Sequence, residues 1–146
     1  PEIKKNKVNS RVKFEFGVGG EEKKNSSSWI LDEWRNSKTS RSWGWYRVLD
    51  EKQGVKVKEL VIESKKSLSD QRHFQRSEHW YILQGSCKLK LDKNNRKKEI
   101  ILEEHDTLVI KKGTWHKAFN ETEMPCRVLE VQFGEACIEE DIERRD

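Results

Sequence analysis

From Trp43 onward the chain is punctuated at short, regular intervals, and this rhythm limits the fold more than any other feature. Trp45, Arg47 and Leu49 alternate with Tyr46 and Val48, and Val55–Ile62 follows a turn at 50–54. Residues 80–83 are apolar and stop at Gly85. Cys87, Leu89 and Leu91 alternate strictly with Lys88 and Lys90 as far as the hairpin tip Asp92-Lys93-Asn94-Asn95, and 100–102 returns from it. Residues 108–110 halt at Lys111-Lys112-Gly113, and Trp115–Phe119 and 128–133 complete the series. Alternation with period 2 marks strands with one buried face. About eight such strands, roughly ten residues apart, predict an all-β sandwich or barrel. Helical spacing is confined to the tail, where Ile138 and Ile142 predict a short carboxy-terminal helix.

The first forty residues read differently, as an irregular amino-terminal arm (1–40) before a β domain (41–146). Val12, Phe14, Phe16 and Val18 alternate as in a strand. Trp29, Ile30 and Trp34 follow the low-complexity Asn25-Ser26-Ser27-Ser28 and suggest a short amphipathic turn with Ser28 as N-cap. Such an arm cannot bury its aromatics alone. It is expected to pack on the domain or to add a strand to a second copy, and a homodimer is expected.

A chain of 146 residues suits one domain. The 30 basic and 26 acidic residues are interleaved, giving a net charge of +4 without the one-sided basic stripe of a nucleic-acid groove. No apolar run approaches the ~20 residues of a membrane span, and the first ten residues hold no apolar signal core. Three cysteines with no Cys-x-x-Cys spacing read as reduced thiols in a cytoplasmic setting. The modest positive balance suits a small anionic partner such as a sugar phosphate.

The chemistry concentrates in Gln71-x-His73 and Glu78. Gln71 and His73 are two apart, so on a strand they share a face. Gly113-Thr114-Trp115-His116, then Asn120, lies some way downstream. If the sheet closes, Gln71, His73, Glu78 and His116 can ring one divalent cation with nitrogen and oxygen donors. One or two positions then stay open for water or substrate, as in a catalytic site. These donors suit Zn, Fe, Mn, Co or Ni; zinc is placed first.

The string Gln71-x-His73-x-x-Arg76-x-Glu78-His79-Trp80, followed by Gly85, resembles the first motif of the cupins, and more narrowly that of the type II mannose-6-phosphate isomerase (phosphomannose isomerase) domain. Arg41-x-Trp43-Gly44-x-Tyr46 resembles that domain's opening motif. Gly113-Thr114-x-His116 with Asn120 resembles the second cupin motif, and Glu130-Val131-Gln132-x-Gly134 with Glu140-Asp141-Ile142 its closing one. The resemblance covers about residues 40–146. It implies a double-stranded β-helix, a divalent metal at Gln71, His73, Glu78 and His116, and interconversion of mannose 6-phosphate and fructose 6-phosphate, with Arg76 implicated in activity. Several turn residues depart from the pattern. Ser64-Lys65 stand where the family has Pro-Gly, Asp70 replaces an apolar residue, Ser42 replaces a proline, and His105 and Lys111 replace a glycine and a proline. The larger members carry a nucleotidyltransferase domain with a Gly-rich loop. No such loop occurs in this sequence, so guanylyltransferase activity is not expected of it.

An aldose–ketose isomerisation needs an electrophile at the carbonyl and a base that moves a proton between adjacent carbons. Candidate bases are His79, Glu78, Lys117 and a metal-bound water. Arg76 is the candidate for bidentate phosphate binding, with Lys111, Lys112 and Lys117 as point charges. Against these stand plainer readings. His79 adjoins Glu78 and on a straight strand faces the other way; His105 sits in an acidic turn and reads as solvated; Trp43, Trp45, Trp80 and Trp115 are more often core or interface aromatics. Two other functions fit the same motifs: a cupin that binds a sugar phosphate or sugar nucleotide without turnover, and an oxygen-using Fe(II) enzyme.

Overall fold

In the computed structural model, residues 37–145 are described. Eleven strands occur among the described residues: β1 (Thr39–Arg41), β2 (Gly44–Lys52), β3 (Val55–Ile62), β4 (Asp70–Arg72), β5 (Arg76–Gln84), β6 (Cys87–Lys93), β7 (Arg96–Leu102), β8 (Thr107–Ile110), β9 (Trp115–Phe119), β10 (Cys126–Gly134) and β11 (Glu143–Arg145); the eight segments read from the sequence after Trp43 are β2, β3 and β5 to β10. They form two antiparallel sheets, ordered β1-β2-β3-β10-β5-β8 and β11-β4-β9-β6-β7. The chain passes back and forth between the sheets, as a double-stranded β-helix requires. The strand expected at 12–18 and the turn around Trp29, Ile30 and Trp34 lie outside the described residues. Among the described residues no helix is long and apolar enough to cross a membrane.

The register of the larger sheet decides what faces inward. Leu60, Val128 and Ile82 are aligned across β3, β10 and β5, and one step along lie Lys58, Glu130 and Trp80. A further step brings Lys56, Gln132 and Glu78 into line. Because side chains alternate faces, these rows share the interior. The interior therefore divides along the strands. One half is apolar, built on Ile62, Ile82, Val128, Cys126, Cys87 and Leu89. The other is buried and polar, with Lys56, Lys58, Arg76, Glu78, Glu130 and Gln132. All three cysteines are buried free thiols.

The turns hold their shape despite the departures noted above. Lys65 and His105 occupy left-handed backbone conformations, with φ of 64° and 75°. Glycine takes such φ without the clash an L side chain meets. At Gly134 (φ 154°) glycine is required outright, because an added Cβ would strike the carbonyl of Gln75.

The expected carboxy-terminal helix is corrected. Residues 137–142 run as irregular turns into β11, which pairs with β4 through Glu143↔Arg72 and Arg145↔Asp70. Asp141 explains why: its carboxylate accepts from the backbone N–H groups of Phe74 and Gln75 at 2.9 and 2.8 Å. The N–H of Asp141 closes one turn on the Ile138 carbonyl at 3.2 Å, but the Asp141 carbonyl and carboxylate are taken up by His73 and the loop after β4, and the chain goes on into β11 instead of a helix.

Candidate metal centre

Three elements bring the ligand candidates together. His73 follows β4, Glu78 lies on β5 and His116 on β9. Their donor atoms lie within 4.8 Å of one another, and all three residues are buried. Glu78 Oε2 is 3.2 Å from His73 Nε2, and Glu78 Oε1 is 3.6 Å from His116 Nε2. The imidazole centroids are 5.3 Å apart.

The hydrogen bonds fix the tautomers. His73 Nδ1 meets the carbonyl oxygen of Asp141 at 2.7 Å, and His116 Nδ1 meets that of Thr114 at 2.9 Å. A carbonyl only accepts, so each Nδ1 carries a proton and each Nε2 is turned toward Glu78, that of His73 also meeting Arg76 Nη2 at 3.3 Å. This is how metal-binding histidines are oriented by their outer partners. His116 Nε2 is fully buried and has no hydrogen-bond partner. An orphaned acceptor of this kind is costly unless something fills the space before it. The charge states agree. Burial, with Arg76 and His116 nearby, pushes His73 below its ordinary value despite the Glu78 carboxylate, so its ring is neutral at pH 7. Burial works against ionising Glu78, but His116, His73, Glu130 and Arg76 hold it down at about 2. Two imidazoles and one carboxylate form a donor set that fits a divalent cation.

Gln71 stands directly opposite His116 in the β4–β9 pairing, so its side chain shares that face; it accepts from Ser69 Oγ at 3.3 Å. Arg76 is buried and fully engaged. Its guanidinium donates to Glu78 Oε2 at 3.2 and 3.0 Å, to the Ile138 carbonyl at 3.0 Å and to His73 Nε2 at 3.3 Å. Beside Glu78, burial and the neighbouring carboxylate raise Glu130 to about 8, so it holds a proton at neutral pH. Trp80 Nε1 donates to both carboxyls, at 3.2 and 3.1 Å. Gln132 Nε2 donates to Glu130 at 3.0 Å, while its own Oε1 is buried without a partner.

Gln71, Arg76, Glu78 and Gln132 open onto a cavity of about 530 Å³, which Trp43 and Tyr46 also line. Lys117 reaches its rim, with the ammonium 5.0 Å from the Phe119 ring centre. His79 is not brought to the cluster: it stands exposed on the outer face of β5, between Val131 and Val109 in register. Lys111 and Lys112 are exposed in the β8–β9 turn, and neither lines this cavity. Four residues that matter here were not singled out from the sequence as site residues: Glu130, Gln132, Lys58 and Asp141. The signal for the first two was present, since they are polar at positions continuing the inward row of Val128.

A family model described as "Mannose-6-phosphate isomerase C-terminal" matches residues 32–146. Curated relatives include the alginate biosynthesis protein AlgA of Pseudomonas putida, 33% identical over 104 residues, and the mannose-1-phosphate guanylyltransferase of Escherichia coli K12, 30% identical over 104 residues. Each alignment covers 71% of this chain and 21% of the relative, so the chain spans about a fifth of their length. Among solved structures, an oxalate decarboxylase of Lactobacillus farciminis matches with a TM-score of 0.66 at 18% identity, over 74% of this chain and 33% of that one. A double-stranded β-helix protein of Klebsiella pneumoniae matches with 0.63 at 14% identity, over 76% and 91%. At such identities the likeness is one of fold, and it agrees with the two-sheet topology. The sequence match over most of the chain goes further, and places this protein in the mannose-6-phosphate isomerase C-terminal family of cupins.

Proposed function

We propose that the cavity is the active site of a metal-dependent aldose–ketose isomerase that interconverts mannose 6-phosphate and fructose 6-phosphate. The observation that carries this reading is the bare, buried Nε2 of His116, aimed with His73 Nε2 at the ionised Glu78. Gln71, His73, Glu78 and His116 would hold the divalent ion, with zinc placed first among Zn, Fe, Mn, Co and Ni; when bound it supplies a Lewis acid for the sugar carbonyl. Arg76 fixes the Glu78 carboxylate through two hydrogen bonds and so sets the orientation of the cluster. Lys117, at the rim, is within the cavity's reach as a proton carrier. Trp43 and Tyr46 give the cavity two aromatic lining residues against which the sugar carbons would pack. The names of the relatives, which include alginate and xanthan biosynthesis proteins, support a place in supplying mannose phosphates for polysaccharide synthesis. A cytoplasmic homodimer belongs to the same proposal, and a monomeric mass by light scattering at working concentration would remove the dimer from it.

The test is a coupled assay for fructose 6-phosphate formed from mannose 6-phosphate, with the protein loaded in turn with each of the five metals. Turnover with at least one metal, abolished by a chelator and by His116→Ala, is expected. Sugar-phosphate binding without turnover under every metal would overturn the isomerase reading in favour of a binding module.

A further inference from the structure

The cavity has a second polar wall that the metal cluster does not use. On β3, Lys56 and Lys58 turn inward, each with a side chain only 7% exposed. Their ammonium nitrogens converge on a single oxygen, Glu139 Oε2, at 3.2 and 2.8 Å. Glu139 belongs to the segment between β10 and β11 and its side chain is 55% exposed. The other carboxylate near Lys56 is Glu51 at 3.7 Å, also largely exposed. Two ammonium groups taken out of water side by side repel each other and lose hydration, so the pair needs an anion between them. The anion present is a half-solvated carboxylate on a connecting segment. It offers one oxygen to both cations and can leave without breaking a strand.

The position of the pair relative to the metal cluster matches one kind of ligand. Lys56, Gln132 and Glu78 lie in register across β3, β10 and β5. Two strand spacings separate the lysines' strand from that of Glu78, about 9–10 Å. Between them stands Gln132, whose buried Oε1 lacks a donor. An open-chain hexose 6-phosphate has a carbonyl at one end, hydroxyl donors along its middle and an anion at the other end. Placed with its carbonyl at the cluster, it lays a hydroxyl by Gln132 and its phosphate by the lysines. Arg76, the phosphate candidate from sequence, is already engaged by Glu78 and Ile138.

We infer that Lys56 and Lys58 form the phosphate subsite of this cavity, and that Glu139 is its internal occupant, displaced when a phosphate monoester binds. This rests on the sugar-phosphate reading of the site. A phosphate brings about −1.5 to −2 charges and three acceptor oxygens, so each ammonium gains its own partner where the carboxylate gave them one to share. Lys58 and Glu139 line the cavity, so Lys58 makes the first contact, while Lys56 joins it through the Glu139 oxygen that both lysines share.

The test is calorimetric titration of the full chain with inorganic phosphate, with and without chelator, for the wild type, Glu139→Gln and Lys58→Met. The glutamine variant changes a half-exposed side chain, and methionine keeps the length of the lysine, so melting temperatures can confirm that both fold. Removing the competing carboxylate should tighten phosphate binding by about tenfold, and removing one ammonium should weaken it by about tenfold or more, each the equivalent of one charge-assisted hydrogen bond. Unchanged phosphate affinity in both folded variants overturns the subsite. In the isomerase assay, Lys58→Met should raise KM for mannose 6-phosphate. Wild-type KM in that variant removes the subsite and leaves the isomerase standing. Phosphate affinities that move as stated in a protein with no turnover leave the subsite standing and remove the isomerase.

Discussion

His73 Nδ1 lies 2.7 Å from the carbonyl oxygen of Asp141, a residue 68 positions further along the chain. The same Asp141 caps the N–H groups of Phe74 and Gln75 with its carboxylate. One residue of the tail thus orients the imidazole of a candidate metal ligand and pins the loop that carries it. Asp141→Ala removes both caps and should cost about 2–3 kcal/mol of stability, since hydrogen bonds to a charged acceptor are the stronger kind. By loosening His73 it should also weaken metal affinity by about 10–100-fold. Thermal melts and a metal-chelator competition titration check the two effects. Full metal affinity in a folded variant would show that the Asp141 carboxylate does not position the ring.

If the cluster of His73, Glu78 and His116 holds an ion, that ion must stabilise the fold. Binding to the native state alone adds about 2.7 kcal/mol at a hundredfold excess over Kd. A chelator should therefore lower the melting temperature of the wild type. His116→Ala, which deletes the orphaned Nε2, should melt at one temperature with and without chelator. An equal chelator response in both proteins would place the ion elsewhere.

Lys65 and His105 sit at left-handed φ in the positions where the cupin motifs carry glycine. A non-glycine residue there costs roughly 1–2 kcal/mol, partly offset by the unfolded-state entropy glycine would add. Lys65→Gly and His105→Gly should each raise stability, by up to about 1 kcal/mol. The first also removes the Lys65–Glu123 ion pair and the Lys65 bond to the Glu121 carbonyl, and the second the Tyr81 Oη–His105 Nδ1 contact, but all three are exposed and contribute little. Denaturant melts measure the change, and a loss in both variants would show that these turns are held by side-chain contacts instead.

The longer strands were legible because each is an alternating or continuously apolar run bounded by turn residues, and a local rule finds a local pattern, whereas the three-residue β1, β4 and β11 carry no such run. The same rule explains what was not legible. In Val55-Lys56-Val57-Lys58 a binary pattern turns valine inward, yet the structure buries the lysines. The register with β10 sets them opposite Gln132 and Glu130, and only that long-range pairing reveals a polar interior. Gln71 and His73 could be placed on one face from spacing alone, whereas the meeting of His73 with Asp141 depends on β11 returning to β4. The tail's helical spacing misled for the same reason: capping the Phe74–Gln75 loop engages Asp141 more strongly than a short helix could.

On the outer face of the larger sheet, Glu59 sits between two guanidinium groups. It accepts from Arg47 Nε at 2.8 Å and from Arg127 Nη2 and Nε at 2.8 and 3.0 Å. Burial pushes its carboxyl up, but Arg127 and Arg47 together bring it below the ordinary 4.5. A carboxyl whose pKa is lower in the folded than in the unfolded chain stabilises the fold fully above the unfolded value. That contribution disappears as pH falls through the folded value. Glu59→Gln should then cost about 1–2 kcal/mol at pH 7, and the gap between wild type and variant should narrow steadily below pH 4.5. Other carboxylates also titrate in acid, but they do so in both proteins and cancel in the difference. Paired melts from pH 7 down to the acid limit of folding measure that gap. A gap that stays constant across the range would mean that the arginines do not act on Glu59 through its charge.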